Sequence, residues 1–543
     1  MQQYIKILLI LALFIPAIVG ANSSKPYLKY RGEGIAQLYV EGKPFLILGG
    51  ELLNSSGSTS NDMQSKWKTL KALNLNTILI AVPWEQVEMT HGCFDFSEFG
   101  KIIEQAKKNN IKLVPLWFGS WKNGGSGYVP HWVMRDTKKY PRMEDENGAY
   151  KPVLSNLSEE VLNADKTAFL EFIKFIKEKD PKGETVIMVQ IENEVGLLGD
   201  SRDRSAVAEK AFASQVPNKL IEYIKNNEKK LLPEIRDGWN LNGKIESGSW
   251  EEVFGQKNKL ADEMFMAWNY ATFIEKLAAE GKKIHNLPMF VNAWGINPTN
   301  PPPGKYPSGG PNYRMFDVWK AAAPSIDFLS IDIYQKDYKA KIAQFARNGN
   351  PIFIPEACGV SRCGGAKAFY TIGKFGAIGF SPFAIDHPSY TKEHPLAAAY
   401  KVLSNISHEI AKCDPKKDMF GFMQQDEKSE IIDLGDIKVK IEYEHSFNGY
   451  GIIIRLSNED FLIAGTGATL KFSSDDTNRW SIAYGLIRQG HYEKDGKWIT
   501  EKYLGGDEAL GGVTGIKLSP EYTKIEAKDN SIITIRAHIF KVK

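Results

Sequence analysis

Eight apolar runs, most of them separated by segments of helical periodicity, constrain this chain more than any other feature. They read FLILGGELL (45–53), TILIAVPW (77–84), KLVPLWFG (112–119), VIMVQIENE (186–194), PMFVNAWG (288–295), DFLSIDIY (327–334), PIFIPEACG (351–359) and GAIGFSPF (376–383). Short, near-continuous apolar runs mark strands covered on both faces, the signature of a parallel sheet. Between the first two, Trp67, Leu70 and Leu73 recur at helical spacing; between the second and third, Phe99, Ile102, Ile103 and Ala106 do the same. This alternation predicts an α/β fold, a (β/α)₈ TIM barrel with insertions. A doubly wound sheet is the other parallel arrangement, but no Gly-rich phosphate loop follows the first run.

After PLAAAYKVLSNISHEIAKC (395–413) the pattern changes. IIDLGDIKVKIEYEH, YGIIIRLS, DFLIAGTGATLKFS and SIITIRAHIFKVK alternate with Gly, Asn and Asp turns, which predicts an all-β domain, sandwich or barrel. A chain of 543 residues is too long for one ordinary core. The expected division is a barrel over 27–413 and a β-rich domain over 414–543, preceded by a leader over 1–21. In that leader Lys6 supplies the positive charge, residues 7–15 the apolar core, and Val19-Gly20-Ala21 a small-residue cleavage site. The apolar core is short for a bilayer and Pro16 interrupts it. The expectation is export to the periplasm or medium, with no membrane span after cleavage.

The net charge of +3 comes from dispersed basic residues, which gives no support for nucleic-acid binding. Nine histidines are scattered and HEIAK lacks the second histidine of a zinc helix, so neither a metal nor another cofactor is expected. No G-x-S-x-G elbow points to a serine hydrolase. Cys358 and Cys363, in CGVSRC, are close enough to pair in an oxidising compartment; two free thiols are the alternative.

In a parallel barrel, functional groups gather where strands end. Those ends carry Glu51, Trp84 with Glu85, Trp117, Glu192-Asn193-Glu194, Asn292 with Trp294, Asp332 with Tyr334, and Glu356. Any one of these glutamates could be merely solvated or ion-paired, and tryptophans commonly pack in cores. Jointly they suit carbohydrate chemistry. Glu194 on the fourth strand and Glu356 on the seventh would face each other across the mouth, as an acid and a nucleophile must for glycoside cleavage. Glu192 is read as structural: alternation puts it deeper on the face of Glu194. A non-catalytic carbohydrate-binding barrel is the competing class, but binding needs no acid opposite a nucleophile.

QIENEVG after an apolar strand resembles the acid/base strand of clan A glycoside hydrolases, especially family 35, the β-galactosidases. GGELLNS, LNTILIAVPWEQVE, GCFDFSEFGKIIEQAKKNNIKLV and IMVQIENEVG resemble that family in order and spacing, over roughly residues 35–405. The resemblance implies a retaining enzyme that releases terminal β-galactose from carbohydrate. In it Glu194 would be the acid/base, Glu356 the nucleophile, and Asn193 the contact to the 2-hydroxyl. Many members have a tyrosine before the Val-Pro-Trp of the second strand, where this chain has Ala81. They also have an acidic segment after the third strand, near which this chain has Asn123. Replacement sugar contacts would then come from Glu51, Glu85 and Asn123. Trp294 or Trp117 would form the stacking face, and Trp84, Asn292 and Tyr334 would complete the substrate-binding set. Glucose, mannose or arabinose specificity is the alternative.

Overall fold

The computed structural model describes residues 25–543 apart from 33, 298–300, 445–447, 477–479, 494, 506–514 and 519–530. The leader expected over 1–21 lies outside the described residues. Eight strands build the barrel: β1 (Ile47–Leu48), β2 (Thr77–Pro83), β3 (Lys112–Lys122), β4 (Val189–Asn193), β5 (Met289–Trp294), β6 (Phe328–Asp332), β7 (Phe353–Ile354) and β8 (Gly379–Phe380). β2 to β6 form one parallel sheet, and β7, β8 and β1 another. Parallel bridges Glu51–Leu79 and Ile333–Ala357 join the two sheets at both seams, so the barrel closes.

Alternation along each strand divides the barrel's core in two. Leu79, Ala81, Val114, Leu116, Phe118, Phe290, Phe328 and Phe353 share one buried cluster inside the barrel. Phe290 and Phe328 stack there with ring centroids 5.1 Å apart. The antiparallel strands Tyr27–Tyr30, Ala36–Val40 and Lys43–Phe45 add Leu38 and Val40 to that cluster, closing one end of the barrel. The intervening residues, such as Ile78, Ile80, Leu113 and Trp117, turn outward against the surrounding helices. Large insertions follow β3, with the hairpin Arg142–Glu144/Tyr150–Leu154, and β4, with five helices from Ala206–Phe212 to Leu260–Ile284. No helix among the described residues is long and apolar enough to cross a membrane.

Beyond the helix Pro395–Lys412 the chain forms two antiparallel sheets, of six and four strands. They enclose a core of Ile437, Val439, Ile441, Ile453, Phe461, Ile463 and Ile535, as the two inner faces of a sandwich do. The other face of the larger sheet, with Ile452, Ile454, Leu462 and Ala464, joins the barrel's own core. Its partner is the barrel helix Gly364–Phe375. Helix and sheet meet at two glycines: a Cβ on Gly373 would lie 2.6 Å from the Cα of Gly421. Only residues without side chains permit that approach, so the two domains are fitted closely together.

Candidate active site

The polar strand ends converge at one mouth of the barrel. One oxygen from each of Glu194, Asp332 and Glu356 lies within 4.8 Å of the others. All three residues are buried, as is Glu51. Four carboxyl groups this close cannot all ionise in a low dielectric, so protons must be retained.

Which one ionises first follows from the neighbours. The Tyr334 hydroxyl donates a hydrogen bond to Glu356 Oε1. Burial raises the Glu356 carboxyl above its ordinary range, and that bond, the Lys122 ammonium and the neighbouring Glu51 carboxyl partly offset the rise. The charge of Glu356 in turn raises the other three. Glu51 is held well above the ordinary carboxyl range, first by burial and then by Glu356. Neither of its buried oxygens has a hydrogen-bond partner, and a carboxyl so placed costs far less neutral than ionised. Asp332 is likewise raised well above its ordinary value by burial and then by the charges of Glu356 and Glu194. Glu194 itself is pushed up to about 7, by burial and then by the charge of Glu356. The site thus holds one favoured anion, Glu356, opposite an acid that keeps its proton until near neutrality.

The backbone supplies this arrangement at some cost. Glu192 and Glu194 both adopt left-handed conformations, φ +58° and +46°, each worth about 1–3 kcal/mol of strain for a non-glycine residue. The turn at Glu192 breaks the alternation of β4 and sends its side chain away from Glu194. This corrects the expectation that both share one face. Glu192 instead accepts hydrogen bonds from the backbone N–H groups of Ser120 (3.1 Å) and Trp121 (2.8 Å), next to Asp165. A Cβ on Gly119 would lie 2.6 Å from Glu192 Oε1, so glycine leaves room for that buried carboxyl. Asn193 consequently faces inward. Its Oδ1 accepts from Gln190 and from Asn292, each at 3.0 Å, and its Nδ2 donates to Asn123 at 2.9 Å. Asn292 also donates to Asp332 Oδ2 at 2.7 Å and accepts from the backbone N–H of Glu194 at 3.0 Å. This amide chain ties the acid strand to β3, β5 and β6.

Of the residues singled out in the sequence, Glu51, Asn193, Glu194, Asn292, Tyr334 and Glu356 come together here, with Asn123 attached at the rim. Trp294, 40% exposed at the end of β5, offers an open indole face. Glu85 stands apart, half-buried, with its backbone N–H on the carbonyl of Tyr128. Trp84 and Trp117 are corrections: both are fully buried and cannot stack on a ligand. Trp84 donates to Glu88 at 2.7 Å, and Trp117 donates to Asp165 at 2.9 Å while stacking on Phe172. Trp117 points outward because it lies between the inward residues Leu116 and Phe118. Two members of the site received no role from the sequence, Asp332 and Lys122. Asp332 was visible at its strand end. Lys122 was obscured because the apolar run stops at Gly119, whereas β3 continues to Lys122.

Cys358 and Cys363 are free, with sulfurs 3.2 Å apart. In distance alone Glu194, Asp332 and Glu356 could share a cation. The protons retained on Asp332 and Glu51 relieve the same repulsion without one.

Retained protons have a consequence for stability. A folded-state pKa above the unfolded value means that the native chain binds more protons than the unfolded one above about pH 4, so stability falls as pH rises from there. Glu51→Gln and Asp332→Asn remove that loss while preserving a hydrogen-bond donor. Each is expected to raise Tm by a few degrees at pH 8 and by less at pH 5, measured calorimetrically. A larger gain at pH 5 would contradict the protonated state.

Residues 37–276 match the profile of glycosyl hydrolases family 35, and residues 396–514 match a domain of unknown function, DUF5597. A β-galactosidase of Xanthomonas manihotis is 26% identical over 210 residues, 36% of this chain. The chain spans about 30% of the length of that curated relative. Among solved structures, a β-galactosidase from Bacillus circulans sp. alkalophilus is similar with a TM-score of 0.47 at 15% identity, over 68% of this chain and 57% of that one. The catalytic domain of a β-amylase from Paenibacillus polymyxa has a TM-score of 0.43 at 16% identity, over 65% and 99%.

Proposed function

We propose that this chain, whose barrel resembles glycosyl hydrolases family 35, is a retaining exo-β-galactosidase acting on oligosaccharides or polysaccharide side chains. One observation carries the reading. The favoured anion Glu356 and the proton-bearing Glu194 present oxygens within 4.8 Å of each other. Retaining glycosidases hold their two carboxyls about 5–5.5 Å apart, while inverting ones need about 6.5–9.5 Å to admit a water. In the first step Glu356 attacks the anomeric carbon as Glu194 protonates the departing oxygen. Glu194, now a carboxylate, then takes a proton from the water that releases the sugar. Tyr334 holds the nucleophile by a hydrogen bond, with the Glu51 carboxyl beside it, and Asn292 positions the acid strand between Asp332 and Glu194. Galactose as the glycone comes from the family match and the curated relative. Export, read from residues 1–21, belongs to the same proposal.

The glycone is tested with a panel of aryl glycosides that differ only in the sugar. Galactose differs from glucose in its axial 4-hydroxyl, and a site that hydrogen-bonds a hydroxyl discriminates by leaving its own groups unpaired when that hydroxyl is misplaced. The expected result is hydrolysis of the β-galactoside with the β-glucoside at least about tenfold slower in kcat/KM. Asn123→Ala should erode that preference. A better glucoside, mannoside or arabinoside would overturn galactose while leaving the mechanism intact.

A further inference from the structure

Cys358 and Cys363 stand between the nucleophile strand and the β-domain, and the cleavage chemistry uses neither. Cys358 lies two residues beyond Glu356, and Cys363 immediately precedes the helix Gly364–Phe375. Their sulfurs are 3.2 Å apart, and Ser361 Oγ lies 2.8 Å from that of Cys363. Both cysteines line a cavity of about 980 Å³ between the loops that follow β6 and β7 and the edge of the β-domain. We propose that this pair is a redox-active dithiol, oxidised by a small disulfide of the glutathione type that enters the cavity, with Cys363 as the attacking thiol and Cys358 as the resolving one. The proposal does not depend on the glycosidase reading.

Three observations support it. The first is geometric: sulfurs this close need approach by only about 1 Å to bond. The loop that holds them is also fixed. Cys358 has a left-handed backbone, φ +67°, and the Gly359 carbonyl accepts from the Tyr390 hydroxyl at 2.6 Å. The second is that the two thiols are unequal. The hydrogen bond shared with Cys358, and then the Lys367 ammonium, bring the Cys363 thiol down to about 5 against its burial. The same hydrogen bond, and then burial, raise the Cys358 thiol well above its ordinary range. A thiolate beside a thiol is the division that disulfide exchange requires. The third is access. Both cysteines are only half-buried, and Lys336, Arg362 and Lys367 line the cavity with positive charge, which suits the carboxylates of oxidised glutathione.

In the first step the Cys363 thiolate attacks one sulfur of the reagent, and the other sulfur leaves as a thiolate. The Cys358 thiol gives its proton to that thiolate and attacks Cys363 Sγ, expelling the second half of the reagent. The two protein thiols are thereby oxidised to one disulfide, and the reagent is reduced to two thiols. The new bond ties the end of β7 to the helix that meets the β-domain at Gly373 and Gly421. It also braces the wall behind Tyr334, since a Cβ on Gly359 would lie 3.9 Å from Tyr334 Cε1.

The test uses the full chain with the exposed Cys93 replaced, Cys93→Ser. The protein is reduced with dithiothreitol, freed of it, treated with oxidised glutathione at pH 7 without denaturant, and mapped by mass spectrometry. The expected result is a Cys358–Cys363 disulfide, about 2 Da lighter than the dithiol, with no glutathione retained and both thiols restored by dithiothreitol. Adding Cys358→Ser should instead leave one glutathione on Cys363. With both cysteines present, alkylation of Cys363 by iodoacetamide should fall less than about threefold from pH 8 to pH 6, where free cysteine slows on the order of 10²-fold. Thiols that survive oxidised glutathione, glutathione that settles first on Cys358, or alkylation of Cys363 that slows as free cysteine does would each overturn the proposal. The disulfide and the alkylation profile are read with the pair intact, so a Cys358→Ser variant that fails to fold leaves the test standing.

Discussion

Glu356→Ala is expected to abolish turnover of every glycoside tested, with a loss in kcat on the order of 10⁴-fold or more, as for other covalent nucleophiles. The chemistry leaves no substitute. Asp332 and Glu51 are other carboxyls nearby, and burial, the largest cause of their raised pKa, persists in the variant and keeps them protonated. A protonated carboxyl cannot attack. Removing Glu356 also removes the charge that raises the other three, so Glu194 should titrate at lower pH in the variant. Residual activity within tenfold of wild type would mean that another group is the nucleophile.

Glu194→Ala should fail in a different way. Its proton matters in proportion to the basicity of the departing oxygen, and positioned general acids contribute about 10²–10⁴-fold. In kcat/KM, which reports the first bond cleavage, oligosaccharides should lose within that range. An aryl glycoside with a strongly acidic phenol should lose less than about tenfold. Equal losses for both would remove Glu194 from the role. The pH profile gives a second reading. Glu194 must be protonated to act, and its pKa is pushed up to about 7, so wild-type kcat/KM should decline above about pH 7. Glu356 must be ionised, so the profile should also decline on the acid side. In Glu194→Gln the alkaline decline should vanish.

The barrel was legible because all eight strands are buried on both faces, which writes them as apolar runs. The β-domain was legible for the opposite reason, since its strands alternate around a sandwich core. What the sequence concealed lay at points where a regular rule is locally broken. Trp117 was placed at the mouth because it ends an apolar run, yet the parity of Leu116 and Phe118 turns it to the helices. Trp84 begins a short helix rather than ending a strand, and that helix buries it. Glu192 reverses direction because of a positive φ that no residue type announces, since glutamate rarely adopts it. Lys122 extends β3 beyond its apolar run because a polar mouth, not a core, surrounds its end. The proton states of Glu51 and Asp332 are properties of the assembled cluster and exist only once four strands bring the carboxyls together.

The link between the β-domain and the barrel went unread, although the runs YGIII and FLIA are apolar on successive residues because one face fills the sandwich and the other meets the barrel. Gly373 and Gly421 carry the signal only in retrospect: neither has a left-handed backbone, and both are glycine because helix and sheet touch there.

The central claim is that Glu356 and Glu194 stand close enough for covalent double displacement. Proton NMR of the first sugar released from an aryl β-galactoside, recorded before mutarotation, tests it most directly. The expected first product is the β-anomer, with configuration retained. Initial release of the α-anomer would mean that water attacks the anomeric carbon directly, and would contradict the assignment of Glu356 as nucleophile.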